Sequence, residues 1–149
     1  MQTNRDTTGT GPAPGGEPDW EIIDGYSRAE AIEDGVLVQA PDDAAAEAGF
    51  TCPVALTSAA WSDCVAWDDS DNQRKKTVQD ETGRLWDVLW MAARAARSAR
   101  LRSGNITFTV YRVPRPGSGT RPRQASLVVC AGPGDSGEPV ITIMRPGED

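Results

Sequence analysis

The sequence predicts an α+β fold, because two segments show two different hydrophobic periods. Between Thr82 and Arg100, apolar residues recur at helical spacing, which indicates a long helix with one buried side. Between Ile106 and Val113, apolar and polar residues alternate, so Ile106 shares one face of a strand with Phe108 and Val110. Two further β-branched segments, 126–131 and 140–144, complete a three-stranded antiparallel meander packed against the long helix.

Shorter elements precede the long helix. We expect two or three short helices and brief strands that could join the meander. Ser27 and Glu30 form a capping box that begins a helix, and Gly35 ends it. The other expected elements are an extended segment over 36–39, a helical turn over 42–48 stopped by Gly49, a helix from Thr57 or Ser58 to Trp67, and a polar loop over 68–72.

The chain divides into a tail and one domain. Residues 1–18 are rich in Thr, Gly and Pro without periodicity, which predicts a disordered tail. Residues 19–149 are expected to form a single α+β domain that begins with a short strand at Trp20–Ile23. The sequence lacks an apolar signal segment and a run long enough to span a bilayer, so we expect a cytoplasmic protein without a membrane partner.

Charge is distributed unevenly along this acidic chain, whose net charge is −7. Residues 1–82 carry 17 acidic and 5 basic side chains, whereas residues 83–149 carry 5 acidic and 10 basic ones. The two halves could neutralise each other on folding, or they could leave a bipolar surface that steers a charged partner. Arg112, Arg115, Arg121 and Arg123 border a Pro/Gly connection, which is either a flexible phosphate-seeking loop or simply a soluble one.

Residues with catalytic chemistry are scarce. The chain contains no histidine, so Cys/His zinc sites and histidine-dependent nucleophiles are excluded. We expect no cofactor, no metal site and no catalytic residues. Cys52, Cys64 and Cys130 are widely spaced and are expected to be buried, inert thiols. The aspartates at 68, 69 and 71 lack the glycine and glutamate of a calcium loop.

A glycine-rich segment, 132–137, matches two functional motifs superficially. Its Gly-x-Gly-x-x-Gly spacing is that of dinucleotide-binding loops, but Pro139 and a strand follow where a helix N-terminus would have to face the pyrophosphate. Its Gly134–Gly137 portion looks like the nucleophile segment of trypsin-like proteases, which require a histidine base. We therefore interpret the segment as a hairpin turn.

One side of the long helix carries the most distinctive surface composition. At about 100° per residue, Trp90 lies roughly 120° from the centre of the apolar stripe, and Trp86 lies between them. Arg94, Arg97 and Arg100 follow on the same outer side. Tryptophan with neighbouring arginine is typical of interface hot spots. These five residues are the candidate interaction surface, although another element could pack over Trp90 while the arginines pair with the acidic half.

Five segments in this order resemble a family of small proteins of unknown function that are carried by bacterial plasmids, integrated elements and phages. The resemblance covers roughly residues 20–147, and it implies a mobile-element setting without implying any catalytic residue. The segments that carry it are 26–38, 53–57, 79–91, 111–114 and 132–143.

Together these observations predict a non-catalytic protein-binding module of a mobile genetic element. Its partner would be a host or element-encoded protein, and inhibition of a host defence system or accessory regulation is a further expectation from the resemblance. One alternative is nucleic-acid binding through the arginines of the long helix and of the 115–123 loop, against which the net negative charge argues. Another is an enzyme that uses carboxylates or a cysteine, for which the sequence offers no constellation.

Overall fold

The computed structural model describes residues 26–148, so the expected tail and the Trp20–Ile23 strand lie outside the described residues. The described part is a mixed α+β structure, as the sequence predicts. Its helices are α1 (Arg28–Glu33), α2 (Asp42–Ala48), α3 (Ser58–Cys64), α4 (Asp69–Lys75) and α5 (Glu81–Ser98). Its strands are β1 (Leu37–Gln39), β2 (Val54–Thr57), β3 (Gly104–Arg112), β4 (Arg123–Pro133) and β5 (Pro139–Met144).

The five strands form one sheet in the order β1-β2-β5-β4-β3. Strands β3, β4 and β5 are successive antiparallel neighbours, with Ile106 opposite Val129 and Val129 opposite Ile143. On the other side of β5, β2 pairs in parallel and β1 pairs antiparallel with β2. The short N-terminal strands therefore extend the C-terminal strands into one sheet, and β3 is left as an edge.

Helix α5 covers one face of this sheet. Asp80 is its N-cap and accepts a hydrogen bond from the Gly83 amide, which satisfies one of the free amides of the first turn. The buried side of α5 follows the predicted apolar stripe and contributes to the main core. That core includes Leu85, Val88, Leu89 and Ala92 from the helix and Phe108, Val110, Leu127 and Val129 from the sheet.

Helix α1 packs beside the opposite face, where Ala31, Leu37 and Ala55 form a smaller buried cluster. Arg28 anchors α1 to β5, because its guanidinium donates to the Thr142 hydroxyl at 2.7 Å and to the Ile141 carbonyl at 2.7 Å. The Ser27–Glu30 capping box is present as the sequence predicts. Gly35 and Gly49 both have positive φ at the ends of their helices, which is the conformation that glycine adopts most readily.

The predicted polar loop over 68–72 is wrong, because these residues begin helix α4. Asp68 and Asp71 form a capping box that satisfies the first amides of the helix. Helix α4 also ends in basic residues, which favour a helix C-terminus. Asp71 and Lys75 are buried, so this polar run lies against the protein rather than in solvent.

The Pro/Gly connection that follows β3 is folded around the cations of α4. The Lys75 ammonium donates to the carbonyls of Pro114, Pro116 and Gly119. Arg74 donates to two more carbonyls of the same segment. Arg115 pairs with Asp71 at 2.8 Å, so the segment and the helix hold each other by charged hydrogen bonds.

Leu89→Ala is expected to lower the free energy of unfolding by about 2–5 kcal/mol, because Leu89 is fully buried between α5 and the sheet. Met91→Ala on the same helix is the matched control, since Met91 is 39% exposed and should change stability by about 0.5 kcal/mol or less. Urea denaturation followed by circular dichroism measures both values. Equal effects of the two substitutions would contradict the orientation of α5.

Stability below pH 4 should depend on Asp71. Desolvation favours its neutral form, but hydrogen bonds from Arg74, the Asp68 amide and Arg115 outweigh this and lower the pKa of Asp71 to about 2. The unfolded chain has a pKa of about 3.9 at this residue, so its contribution is present above about pH 4 and is lost as the pH falls towards about 2.

Asp71→Asn should therefore reduce stability at pH 7 and flatten its decline between about pH 4 and 2, measured by urea denaturation at each pH. Asp42→Asn, at an exposed carboxylate in the first turn of α2, is the control. An unchanged pH profile in Asp71→Asn would contradict the assigned role of the carboxylate.

Candidate interaction surface

The orientation of α5 places two tryptophans at the surface. Because Leu85 and Leu89 point into the core, positions 86 and 90 fall outside the buried stripe. Trp86 is 37% exposed and Trp90 is 40% exposed. Their rings stack with centroids 5.6 Å apart and planes inclined by 27°. The sequence left open whether another element packs over Trp90. Among residues 26–148, none covers it fully.

Arg94 extends this pair by one turn of helix. Its guanidinium carbon lies 5.6 Å from the centre of the Trp90 ring, within the range of a cation–π contact. This contact holds a charged group beside an exposed aromatic face. Trp86, Trp90 and Arg94 are thus brought together, as the sequence analysis expected of this side of the helix.

Two exposed residues that the sequence analysis did not select belong to the same surface. Met91 is 39% exposed, and Tyr111 on edge strand β3 is 66% exposed. They line a shallow pocket of about 210 Å³ together with Asp87, Trp90, Thr109 and Val110. We call Trp86, Trp90, Met91 and Tyr111 the aromatic patch. Along β3, Phe108 and Val110 are buried and Tyr111 is exposed, and the edge position of β3 brings Tyr111 to Trp90.

Arg97 and Arg100 belong to a different part of the surface. They line a groove of about 690 Å³ between the ends of α2 and α5, with Phe50 and Leu101 among its other walls. Arg97 lies so close to Gly49 that a Cβ at that position would meet its guanidinium at 2.5 Å. The five predicted surface residues therefore divide into two groups: Trp86, Trp90 and the adjoining Arg94 lie at the aromatic patch, and Arg97 and Arg100 lie at this groove.

The uneven charge of the sequence is partly neutralised inside the fold. Arg112 pairs with Asp63 at 2.9 Å, and Arg115 pairs with Asp68 at 3.1 Å and with Asp71. Of the four arginines in the predicted basic cluster, two are therefore paired with aspartates, and Arg121 and Arg123 are exposed. Within residues 26–148, ion pairs to other residues are absent at Arg94, Arg97 and Arg100, so part of the positive charge of the second half stays uncompensated in α5 and just after it.

A buried arginine lies beneath the edge of the patch. Arg84 is 5% exposed and donates from Nε to the Val65 carbonyl at 3.0 Å, and from Nη1 to the Val113 carbonyl and the Gln79 side chain, both at 2.9 Å. Its guanidinium carbon lies 4.6 Å from the centre of the Trp67 ring. Arg84 is not among the residues predicted from the sequence, although its position four residues before Val88 places it on the buried stripe.

Burial suppresses thiolate formation at Cys52 and Cys64. Cys64 and Cys130 are buried and Cys52 is half-buried. Burial, followed by the negative charge of Asp63, raises the pKa of Cys64 to about 11. The Cys64 thiol is therefore protonated at neutral pH, which makes it a weak nucleophile.

The glycine-rich segment 132–137 ends β4 with Gly132 and Pro133, and the rest of it forms the predicted hairpin turn that leads into β5. Its Asp135 carboxylate accepts hydrogen bonds from the amides of Arg28 at 2.7 Å and Ala29 at 3.0 Å. These are amides of the first turn of α1, so Asp135 caps that helix from the hairpin. Asp135 is therefore explained by its structural role, because a carboxylate stabilises the N-terminus of a helix.

Among residues 26–148, no helix is long and apolar enough to cross a membrane. Searches of curated proteins and of solved structures found no match to this chain. A family described as having unknown function, DUF6573, matches residues 18–149, which is nearly the whole chain. The chain therefore belongs to the DUF6573 family.

Proposed function

We propose that this chain is a non-catalytic protein-binding module and that its contact surface is the aromatic patch with Arg94. The observation that carries the proposal is the stacked pair of Trp86 and Trp90, each more than a third exposed on the outer side of α5. Large aromatic side chains beside an arginine are the composition of interface hot spots. Water leaves such a surface favourably when an apolar partner covers it.

The patch also indicates the chemistry of its partner. The pocket of about 210 Å³ beside Trp90 would accept one apolar side chain, and its rim carries both Asp87 and the charged Arg94. A matching protein surface would offer an apolar anchor next to a carboxylate for Arg94. The whole chain has a net charge of −7, so it would repel an acidic partner surface outside the neighbourhood of Arg94.

The biological setting is the second part of the proposal. The sequence resemblance supports a protein carried by a mobile genetic element, acting in the cytoplasm on a host or element-encoded protein. Inhibition of a host defence system or accessory regulation of the element would fit such a setting. This part is independent of the aromatic patch and rests on the resemblance alone.

Nucleic-acid binding is the runner-up, and one observation favours it. Exposed aromatic rings with unpaired arginines can also stack bases and contact phosphates, and Arg97 and Arg100 line the neighbouring groove. Phosphate contacts make affinity depend steeply on salt. Fluorescence anisotropy with a labelled single strand at two salt concentrations distinguishes the two: salt-sensitive binding that Arg97→Glu abolishes would favour the runner-up.

The double variant Trp90→Ala, Arg94→Glu is expected to weaken capture of the partner at least about 30-fold, because a hot-spot loss of about 2 kcal/mol corresponds to that factor. The measurement is quantitative capture from nuclease-treated host lysate, followed by titration of the captured protein. Both positions are exposed, so circular dichroism should show an unchanged fold.

The matched control is Val78→Ala, Arg121→Glu, which removes a 92% exposed apolar side chain and reverses an exposed arginine away from α5. It should leave capture unchanged. Undiminished capture by the Trp90 and Arg94 variant, or an equal loss in the control, would refute the proposed surface.

A further inference from the structure

The Arg84 guanidinium carries a donor that the fold does not use. Nη2 is buried and has no hydrogen-bond partner among the described residues. The three acceptors that the guanidinium does have, two backbone carbonyls and the Gln79 amide oxygen, are all neutral. Within residues 26–148, Arg84 forms no ion pair with a carboxylate.

This arrangement is costly for the protein alone. Arginine stays protonated, so the buried guanidinium keeps its charge. A buried donor without a partner costs roughly 1–3 kcal/mol, and more when it is charged. Buried cations in proteins are ordinarily paired with an anion. The missing partner therefore has a defined chemistry: an anionic oxygen.

A cavity borders the Arg84 side chain, and Nη2, which has almost no accessible surface, is closed off from it in this structure. Arg84 lines a space of about 120 Å³, which corresponds to roughly four water molecules at their liquid volume. The exposed residues Tyr111 and Pro122 stand in its wall, so the space reaches the surface. Val88, Val110 and Val113 form an apolar part of the remaining wall.

We propose that this cavity binds a carboxylate carried on a short aliphatic chain, with a carboxylate oxygen accepting from Arg84 Nη2. The half-buried Gln79 side chain lines the same cavity and holds Nη1, so its displacement opens the edge of the guanidinium to the ligand. A carboxylate then replaces a neutral acceptor and supplies the missing charge. The valine side chains pack against the aliphatic part of the ligand.

The charges around the cavity select a monoanion over a phosphate. Asp87 stands in the wall and would repel a second negative charge. Arg112 lines the cavity too, but it is already paired with Asp63. One uncommitted guanidinium nitrogen fits one carboxylate better than a dianion that requires several donors.

The carboxylate could come from a free small acid or from an acidic side chain of a bound protein. The cavity shares Asp87, Val110 and Tyr111 with the pocket beside Trp90, so an acidic residue of a protein on the aromatic patch would reach it. This second source rests on the proposed function, whereas the first does not. The experiment separates them.

The test follows the Arg84 Nε–Hε signal of the full chain in arginine-optimised ¹H–¹⁵N NMR spectra. Propionate, its neutral isostere propionamide, and a short peptide with one glutamate are titrated at constant pH and ionic strength. We expect a saturable shift with propionate or with the glutamate peptide, and none with propionamide. A response to free propionate identifies a small acid as ligand, and a response confined to the peptide identifies a protein side chain.

Two variants test the assigned atoms. Arg84→Lys should weaken carboxylate binding at least about tenfold, because a charge-assisted hydrogen bond is lost. Gln79→Ala removes a competing neutral acceptor from a half-buried position and should strengthen binding about threefold, which keeps the proposal testable even where Arg84→Lys fails to fold.

Trp90→Ala should leave propionate binding intact, so failure of the protein-binding proposal does not imitate failure of this one. A linear, unsaturable response, an equal response to propionamide, or weaker binding in Gln79→Ala would overturn the proposal. The first two results would identify Arg84 as a purely structural cation, and the third would show that Gln79 supports the ligand instead of competing with it.

Discussion

The burial of one side of α5 against the sheet determines what the rest of the described structure can present. Leu85 and Leu89 fix the rotation of the helix about its axis because both are nearly inaccessible to solvent. With an α-helical repeat of 3.6 residues, that rotation sends Trp86 and Trp90 outward and Arg84 inward. The exposed aromatic pair and the buried cation are thus two consequences of one packing arrangement.

Charge plays a second, more local part in this arrangement. Lys75 and Arg74 hold the Pro/Gly connection after β3 by its carbonyls, and Arg84 joins the carbonyls that end α3 and β3. These cations, of which Lys75 and Arg84 are buried, therefore organise the non-repetitive backbone, where peptide groups lack the regular partners of helices and strands. Three of the C-terminal arginines are engaged with aspartates, whereas Arg94 and Arg97 of α5 form no ion pair among residues 26–148.

Local patterns allowed much of the fold to be predicted from the sequence. The helical period of α5, the alternation of β3 and the Ser27–Glu30 capping box are all properties of neighbouring residues. Helix α4 was missed because a run of aspartates resembles a solvated loop, while its stability depends on carbonyls about 40 residues further along the chain. The parallel pairing of β2 with β5 is equally non-local.

The candidate site likewise combines residues that local patterns predict with residues that only non-local contacts bring in. Trp86, Trp90 and Arg94 follow from helix geometry, whereas Tyr111 joins them only through the edge position of β3. Arg84 escaped notice because a helical wheel treats arginine as an outer residue, and its acceptors come from three separate segments. Sequence periodicity therefore identifies a face, while tertiary pairing decides which residues complete it.

The central claim is that the Trp86–Trp90 face contacts another protein. Its most direct test places a photo-crosslinking phenylalanine derivative at position 90 in one protein and at the 92% exposed position 78 in another. After irradiation in the host cell, we expect one discrete protein adduct from position 90 and no such adduct from position 78. An adduct to nucleic acid at position 90, or the same pattern from both positions, would contradict it.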